Sequence, residues 1–125
     1  MDFELILSHL PVEITYIDRD GIVRYISPKD EYLFPRDPEA QVGRDVMEFH
    51  KPETREVIRR MLDDFKAGRK DAEYAWSERE WCVAYVSYIA LRDEAGEYAG
   101  AMEIVQDVKP FRDISGKRKV ADGYK

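Results

Sequence analysis

The stretch WCVAYVSYIALRDEAGEYAGAMEIVQD, residues 81–107, constrains the fold more than any other part of the chain. Two runs rich in β-branched and aromatic residues flank Asp93-Glu94-Ala95-Gly96, a signal for a tight reversal between antiparallel strands. In the first run, Trp81, Val83, Tyr85, Ile89 and Leu91 fall on one face of a strand, and Cys82, Ala84, Val86, Tyr88 and Ala90 on the other. Both faces are largely apolar. One side therefore meets the core, and the other is expected to meet a covering helix or another subunit.

The rest of the chain supplies the partners for this hairpin. VEITYID and IVRYIS read as strands around Arg19-Asp20-Gly21, an Asp-Gly reversal, and DAEYAWSE is a further extended run. MDFELILSHLP carries Phe3, Leu5, Ile6 and Leu10 at helical spacing before Pro11, which predicts a short lead-in helix as the cover for the sheet. Between Pro28 and Asp45, Pro28, Pro35, Pro38 and Gly43 limit any helix to a turn or two. Pro52 then suits a first helical position, Val57, Ile58, Met61, Leu62 and Phe65 fall on one face, and Gly68 suits the residue after the helix, giving a helix from Pro52 to Ala67. The expected fold class is α+β: a five-stranded antiparallel sheet with short helices and one longer helix packed on one face. The expected division is a lead-in helix over residues 1–9, a domain over 10–111 and a tail over 112–125.

Composition excludes several functions. A formal charge of −6 opposes a phosphate backbone, so no nucleic-acid partner is expected. The longest apolar run, WCVAYVSYIAL, is too short to span a bilayer, and no membrane partner is expected. Cys82 is the single cysteine and no secretory leader is recognisable, which points to the cytoplasm. None of the serines sits in a Gly-x-Ser-x-Gly elbow, and no glycine loop for phosphate occurs, so the chain does not read as an enzyme.

The order of elements, with the segments LPVEITYIDRDGIVRYIS, LFPRDPEAQVGRDVMEFHKPE, LDDFKAG and ALRDEAGEYAGAMEIVQDV, resembles the PAS domain, a small sensor module, over about Leu10 to Phe111. It is most similar to the branch often attached to hemerythrin-like domains in bacteria and archaea. In that branch the residues before the long helix usually read Cys-His-Pro-Pro, whereas here they are Phe49, His50, Lys51 and Pro52. The resemblance implies an internal pocket walled by sheet and helix, with output through the sheet or the ends of the domain.

His50 stands directly before the long helix, where the partial positive charge of the helix start keeps imidazole neutral and able to ligate a metal. Some PAS domains bind haem through a histidine near this helix, and Arg36, Arg44 or Lys51 could meet the propionates. The plainer reading is a histidine that packs or bonds backbone at the helix start. A metal at His50 is expected only through haem, since His9, His50 and Cys82 are the only soft or borderline ligands for zinc and lie far apart in sequence. Tyr16, Tyr25, Phe49, Trp76, Trp81, Tyr85 and Tyr88 would supply either an aromatic pocket or a filled core. The candidate binding set is His50, Arg44, Tyr88, Trp76 and Met61. Arg36 and Arg44 are alternatively expected to pair with acidic neighbours such as Asp37 or Asp45 and to shape their loop.

The expected function is a sensory domain, probed by a small ligand or by haem and acting as a homodimer. The alternative is a ligand-free dimerisation module with a filled core. Pro110, Gly116 and Gly123 interrupt the segment after Asp107, so a long signalling helix is not expected, and output goes to a separate partner protein or the chain is a fragment.

Overall fold

The computed structural model describes all 125 residues. Five strands occur in the order β1 (Glu13–Asp18), β2 (Val23–Ile26), β3 (Ala72–Glu78), β4 (Val83–Arg92) and β5 (Tyr98–Asp107). They form one antiparallel sheet, as the sequence predicts, and its order is β2-β1-β5-β4-β3. Two of the reversals, β1–β2 and β4–β5, share one device. Asp18 Oδ1 accepts from the N–H groups of Asp20 and Ile22, Asp93 Oδ1 accepts from Ala95 and Glu97, and Gly21 and Gly96 take the positive φ the turn requires, 82° in each. Gly100 serves differently: it lies beside the irregular pairing of Leu91 and Arg92, and a Cβ there would press on the carbonyl oxygen of Ile17 in the neighbouring strand.

Three α-helices accompany the sheet: α1 (Phe3–His9), α2 (Pro38–Gln41) and α3 (Pro52–Lys66). Pro52 opens α3 at its first position, and Gly68, at φ 77°, ends it by donating its N–H to the Phe65 carbonyl. Ile58, Met61, Leu62 and Phe65 of α3 meet Ile17, Val23, Ile26 and Ala101 from the inner face of the sheet to form the core. Val57, expected on the same stripe, is 61% exposed. At about 100° per residue it lies roughly a quarter turn from the centre of that stripe. No helix is long and apolar enough to cross a membrane.

The outer face departs from expectation. Cross-strand pairs place Tyr16 and Tyr25, Tyr16 and Met102, Ile89 and Met102, and Trp76 and Tyr85 side by side on it. The lead-in helix α1 covers this face only in part: its Glu4 acts on the Tyr25 phenol, whose oxygen is buried, but no residue of α1 is itself buried, and Phe3, Leu5 and Ile6 remain exposed. Lys29 Nζ ties the end of α1 down through the Ser8 and Leu10 carbonyls at 3.2 and 2.6 Å, and this tether holds only one end of a seven-residue helix. Residues 109–125 are exposed and form only 3₁₀ turns.

Candidate functional site

Between α3, the inner face of the sheet and the segment from Phe34 to Thr54 lies a cavity of about 700 Å³. Thirteen of its 21 lining residues are hydrophobic, so its body suits an apolar guest. Ile17, Val23, Ile26, Val86 and Ala101 give the sheet side, and Ile58, Met61 and Leu62 the helix side. Phe49 and Lys51 line it and are also exposed, so it reaches the surface beside the start of α3.

Its polar groups come from three elements. Glu103 on β5 and Tyr88 on β4 are direct cross-strand partners. Arg36, from the loop before α2, donates from Nη2 to Glu103 Oε1, and both side chains are 16% exposed. Arg36 Nε is buried and has no hydrogen-bond acceptor in the protein. Burial, reinforced by Glu103, holds the Tyr88 phenol above its ordinary pKa and so un-ionised. The same loop is pinned from the other side, where the Leu33 N–H donates to Glu13 Oε2 at 2.7 Å and Arg79 donates to the Leu33 carbonyl at 2.6 Å with its guanidinium over the Phe34 ring. Burial also raises the pKa of Glu13, whose Oε1 is buried without a partner.

His50 closes the 3₁₀ turn Val46–Phe49, its N–H donating to the Met47 carbonyl. Arg55 Nε on α3 donates to the carbonyls of both Met47 and His50, at 2.9 and 2.8 Å, so the turn is stapled to the first turns of the helix. The imidazole lines the cavity and makes no hydrogen bond with the protein. Its pKa is lowered, first by burial; Glu103 opposes this, and Arg36 and Arg55 add to it. A neutral ring is what the sequence predicts, with burial as the main cause. The sign follows: unfolded chains take up a proton near the ordinary value of 6.5 that the folded state resists, so stability falls as pH drops below 6.5 towards the folded-state pKa. Urea midpoints measured from pH 7 to pH 5 are expected to decline, and His50→Gln to remove part of that slope.

Of the five candidate residues, the structure brings His50, Tyr88 and Met61 together at the cavity. Arg44 and Trp76 lie outside it. Arg44 forms a two-point pair with Glu48 one helical turn on, at 3.2 and 2.7 Å, and is turned to solvent. Trp76 is 70% exposed: it lies on the edge strand β3, whose residues from Tyr74 on are all exposed, and on the outer face its ring stacks on Tyr85 at 6.1 Å. Neither arginine pairs with Asp37 or Asp45 as expected; those carboxylates accept from backbone N–H groups of Ala40 and Met47. The residue missed outright is Glu103. Its signal was present: in Ala101-Met102-Glu103-Ile104-Val105, a period of two puts one carboxylate among the small and apolar side chains of the buried face.

A family model described as a PAS domain matches residues 3–109. No curated protein matches the chain. Among solved structures, a crystal structure of a C-terminal domain from Streptococcus mutans is 37% identical, with a TM-score of 0.83 over 90% of this chain and 87% of that one. A sensory box sensor histidine kinase from Vibrio cholerae is 16% identical, with a TM-score of 0.59 over 85% and 88%. The Aer2 receptor from Vibrio cholerae, described as a dual PAS-heme oxygen sensor, is 21% identical, with a TM-score of 0.53 over 78% and 95%. The latter two show the fold alone. PAS domains are typical of sensory and signal-transduction proteins, and with the family model spanning nearly all of the sheet and helices just described, this chain belongs to the PAS domain family.

Proposed function

We propose that this PAS domain is a sensor that holds a small guest in its inner cavity and signals as a homodimer through the outer face of its sheet. The cavity carries the reading: an apolar body with Arg36, His50, Tyr88 and Glu103 converging on it is the usual make-up of a small-molecule site. Native mass spectrometry of freshly purified protein is expected to show a mass increment that denaturation removes. A bare polypeptide mass in every preparation, with no uptake from a ligand panel, would sink the sensor reading and leave a ligand-free dimerisation module.

The outer face supports the dimer. Exposed Tyr74 and Trp76, their neighbour Tyr85, and the uncovered Phe3, Leu5 and Ile6 of α1 present apolar surface that a second copy would cover. Trp76→Glu would place a carboxylate in that contact, and light scattering is expected to report a monomer where the parent is a dimer. An unchanged dimer mass would place the interface elsewhere. We further propose a cytoplasmic protein without catalytic activity that passes its output to a separate partner. By the segments between Leu10 and Phe111, it belongs with the branch that works beside hemerythrin-like domains.

Haem does not fit the residues present. A ligating imidazole ordinarily donates its second ring nitrogen to a carbonyl or carboxylate, and the His50 ring has no such partner. Of the three cationic groups that would meet propionates, two are committed, Arg36 to Glu103 and Arg44 to Glu48, which leaves Lys51 alone. Haemin titration is expected to give no stoichiometric Soret shift, with His50→Ala indistinguishable from the parent. A one-to-one spectrum lost in His50→Ala would reinstate the axial-ligand role.

A further inference from the structure

We infer that two copies of the chain join edge to edge through β3, antiparallel about a two-fold axis at Ala75, so that their sheets become one. The inference rests on the homodimer reading and states where the copies meet.

The two edges of the sheet are finished differently. At the β2 edge a second segment extends the ladder: the Val23 N–H donates to the Arg44 carbonyl at 2.9 Å, the Gly43 N–H to the Val23 carbonyl at 2.7 Å, and Ile22 bridges Asp45. The β3 edge pairs with β4 alone. The Asp71 carbonyl accepts from the Ala90 N–H and the Arg79 N–H donates to the Cys82 carbonyl, so the odd-numbered residues of this stretch turn their backbone groups to β4. The even ones, Ala72, Tyr74, Trp76 and Glu78, turn theirs outward, and Tyr74 to Glu78 are all exposed. The one side chain that reaches these groups is Glu73 of the same strand, which accepts from the Tyr74 N–H at 3.1 Å. Seven residues long, without proline, lysine or bulge, and charged only at Glu73 and Glu78, β3 lacks most of the features that keep sheet edges apart.

The charge pattern of the strand selects its own copy as the occupant. KDAEYAWSERE, residues 70–80, is complementary to its own reverse about Ala75. Antiparallel pairing centred there sets Asp71, whose carboxylate is 85% exposed, opposite the second copy's Arg79, and Lys70 opposite the second copy's Glu80, with the same pairs repeated at the other end by symmetry. Glu73 faces Ser77 and Glu78 faces Ala72, so no like charges meet directly. Every outward-turned residue then lies opposite another, each N–H against a carbonyl. A slide of two residues one way leaves an outward residue unpaired in each copy and sets Arg69 against Arg79; a slide the other way sets Tyr74 against Glu78. On the outer face the centred register lays Tyr74 beside the second copy's Trp76 and joins the two Trp76–Tyr85 stacks into one aromatic strip. A second copy brings all of this to the edge by symmetry, whereas an extended segment of another protein would have to reproduce it.

Cysteine cross-linking reads the register. Ala75 and its copy form a non-hydrogen-bonded pair with Cα atoms about 4.5 Å apart, within reach of a disulfide. Ser77 and its copy are offset by four residues, about 13 Å along the strands, and are out of reach. Cys82 is buried and does not compete. With oxidised glutathione, Ala75→Cys is expected to give a covalent dimer on non-reducing gels in at least about tenfold the yield of Ser77→Cys. Tyr74→Pro removes an outward N–H that β4 does not use, and light scattering, with folds checked by circular dichroism, is expected to show its dimer weakened at least about tenfold. Tyr74→Ala keeps that N–H and is expected to stay a dimer where Tyr74→Pro is a monomer. A parent dimer in which Ala75→Cys cross-links no better than Ser77→Cys overturns the edge pairing and leaves the outer faces as the contact. Tyr74→Pro dimerising as well as Tyr74→Ala overturns it equally. A parent that is a monomer at every concentration, with Ala75→Cys not cross-linked, overturns the inference together with the homodimer reading on which it rests.

Discussion

Arg36→Ala is expected to lower the free energy of unfolding at pH 7 by about 3 kcal/mol, a large share of what a domain of this size has to lose. The replacement strands the Glu103 carboxylate in the cavity wall without its guanidinium, and the loss of one partner of a buried pair costs far more than the pair contributes. It also loosens the loop that Arg36 anchors from Leu33 onward, leaving only the contacts with Glu13 and Arg79. Since the damage lies in the orphaned charge, Arg36→Ala combined with Glu103→Gln should recover part of the stability. Urea denaturation of the four proteins forms a double-mutant cycle. A single-mutant loss below about 1 kcal/mol would mean that the pair behaves as a solvated surface bridge.

The second large effect is in the core. Phe65 is fully buried, 0% exposed, and is the largest side chain so enclosed. It sits near the end of α3 in the core that also holds Ile17, Val23 and Ala101 of the sheet. Phe65→Ala is expected to cost about 3–5 kcal/mol, the sum of lost transfer energy and the void left behind. Phe65→Leu, which removes fewer atoms, should cost less. Thermal unfolding followed by circular dichroism will rank the three. Equal loss for leucine and alanine would show that ring shape, and not volume, is what the site requires.

Local signals were enough for most of the fold. Asp18 and Gly21, and Asp93 and Gly96, mark their reversals because an aspartate that accepts two N–H groups and a glycine at positive φ are short-range requirements visible in a few residues. Pro52 and Gly68 bracket α3 for the same reason. The cavity was harder to read, because its polar corner is assembled from far apart. Arg36 has Asp37 beside it in sequence, yet its partner Glu103 comes from the last strand. Trp76 looked like a pocket residue by type. Which face of β3 it occupies is fixed by pairing with Tyr85, and an edge strand with mixed polarity gives no alternation to reveal that parity in advance. The lead-in helix is legible from its apolar spacing, but that spacing does not tell how much of the sheet it covers, and Phe3, Leu5 and Ile6 stay exposed.

The placement of β1 between β2 and β5 has a kinetic consequence. β3, β4 and β5 form a meander of sequence neighbours, and β1 and β2 a local hairpin, so each half can assemble from short loops. Joining them requires β1 to find β5, which brings together the two ends of the domain at the entropic cost of the longest closure in the chain. During synthesis the first hairpin must wait, with one edge unpaired, until the final strand leaves the ribosome. Refolding should therefore be limited by this docking step, and a nascent chain arrested before Tyr98 would expose an edge open to wrong partners.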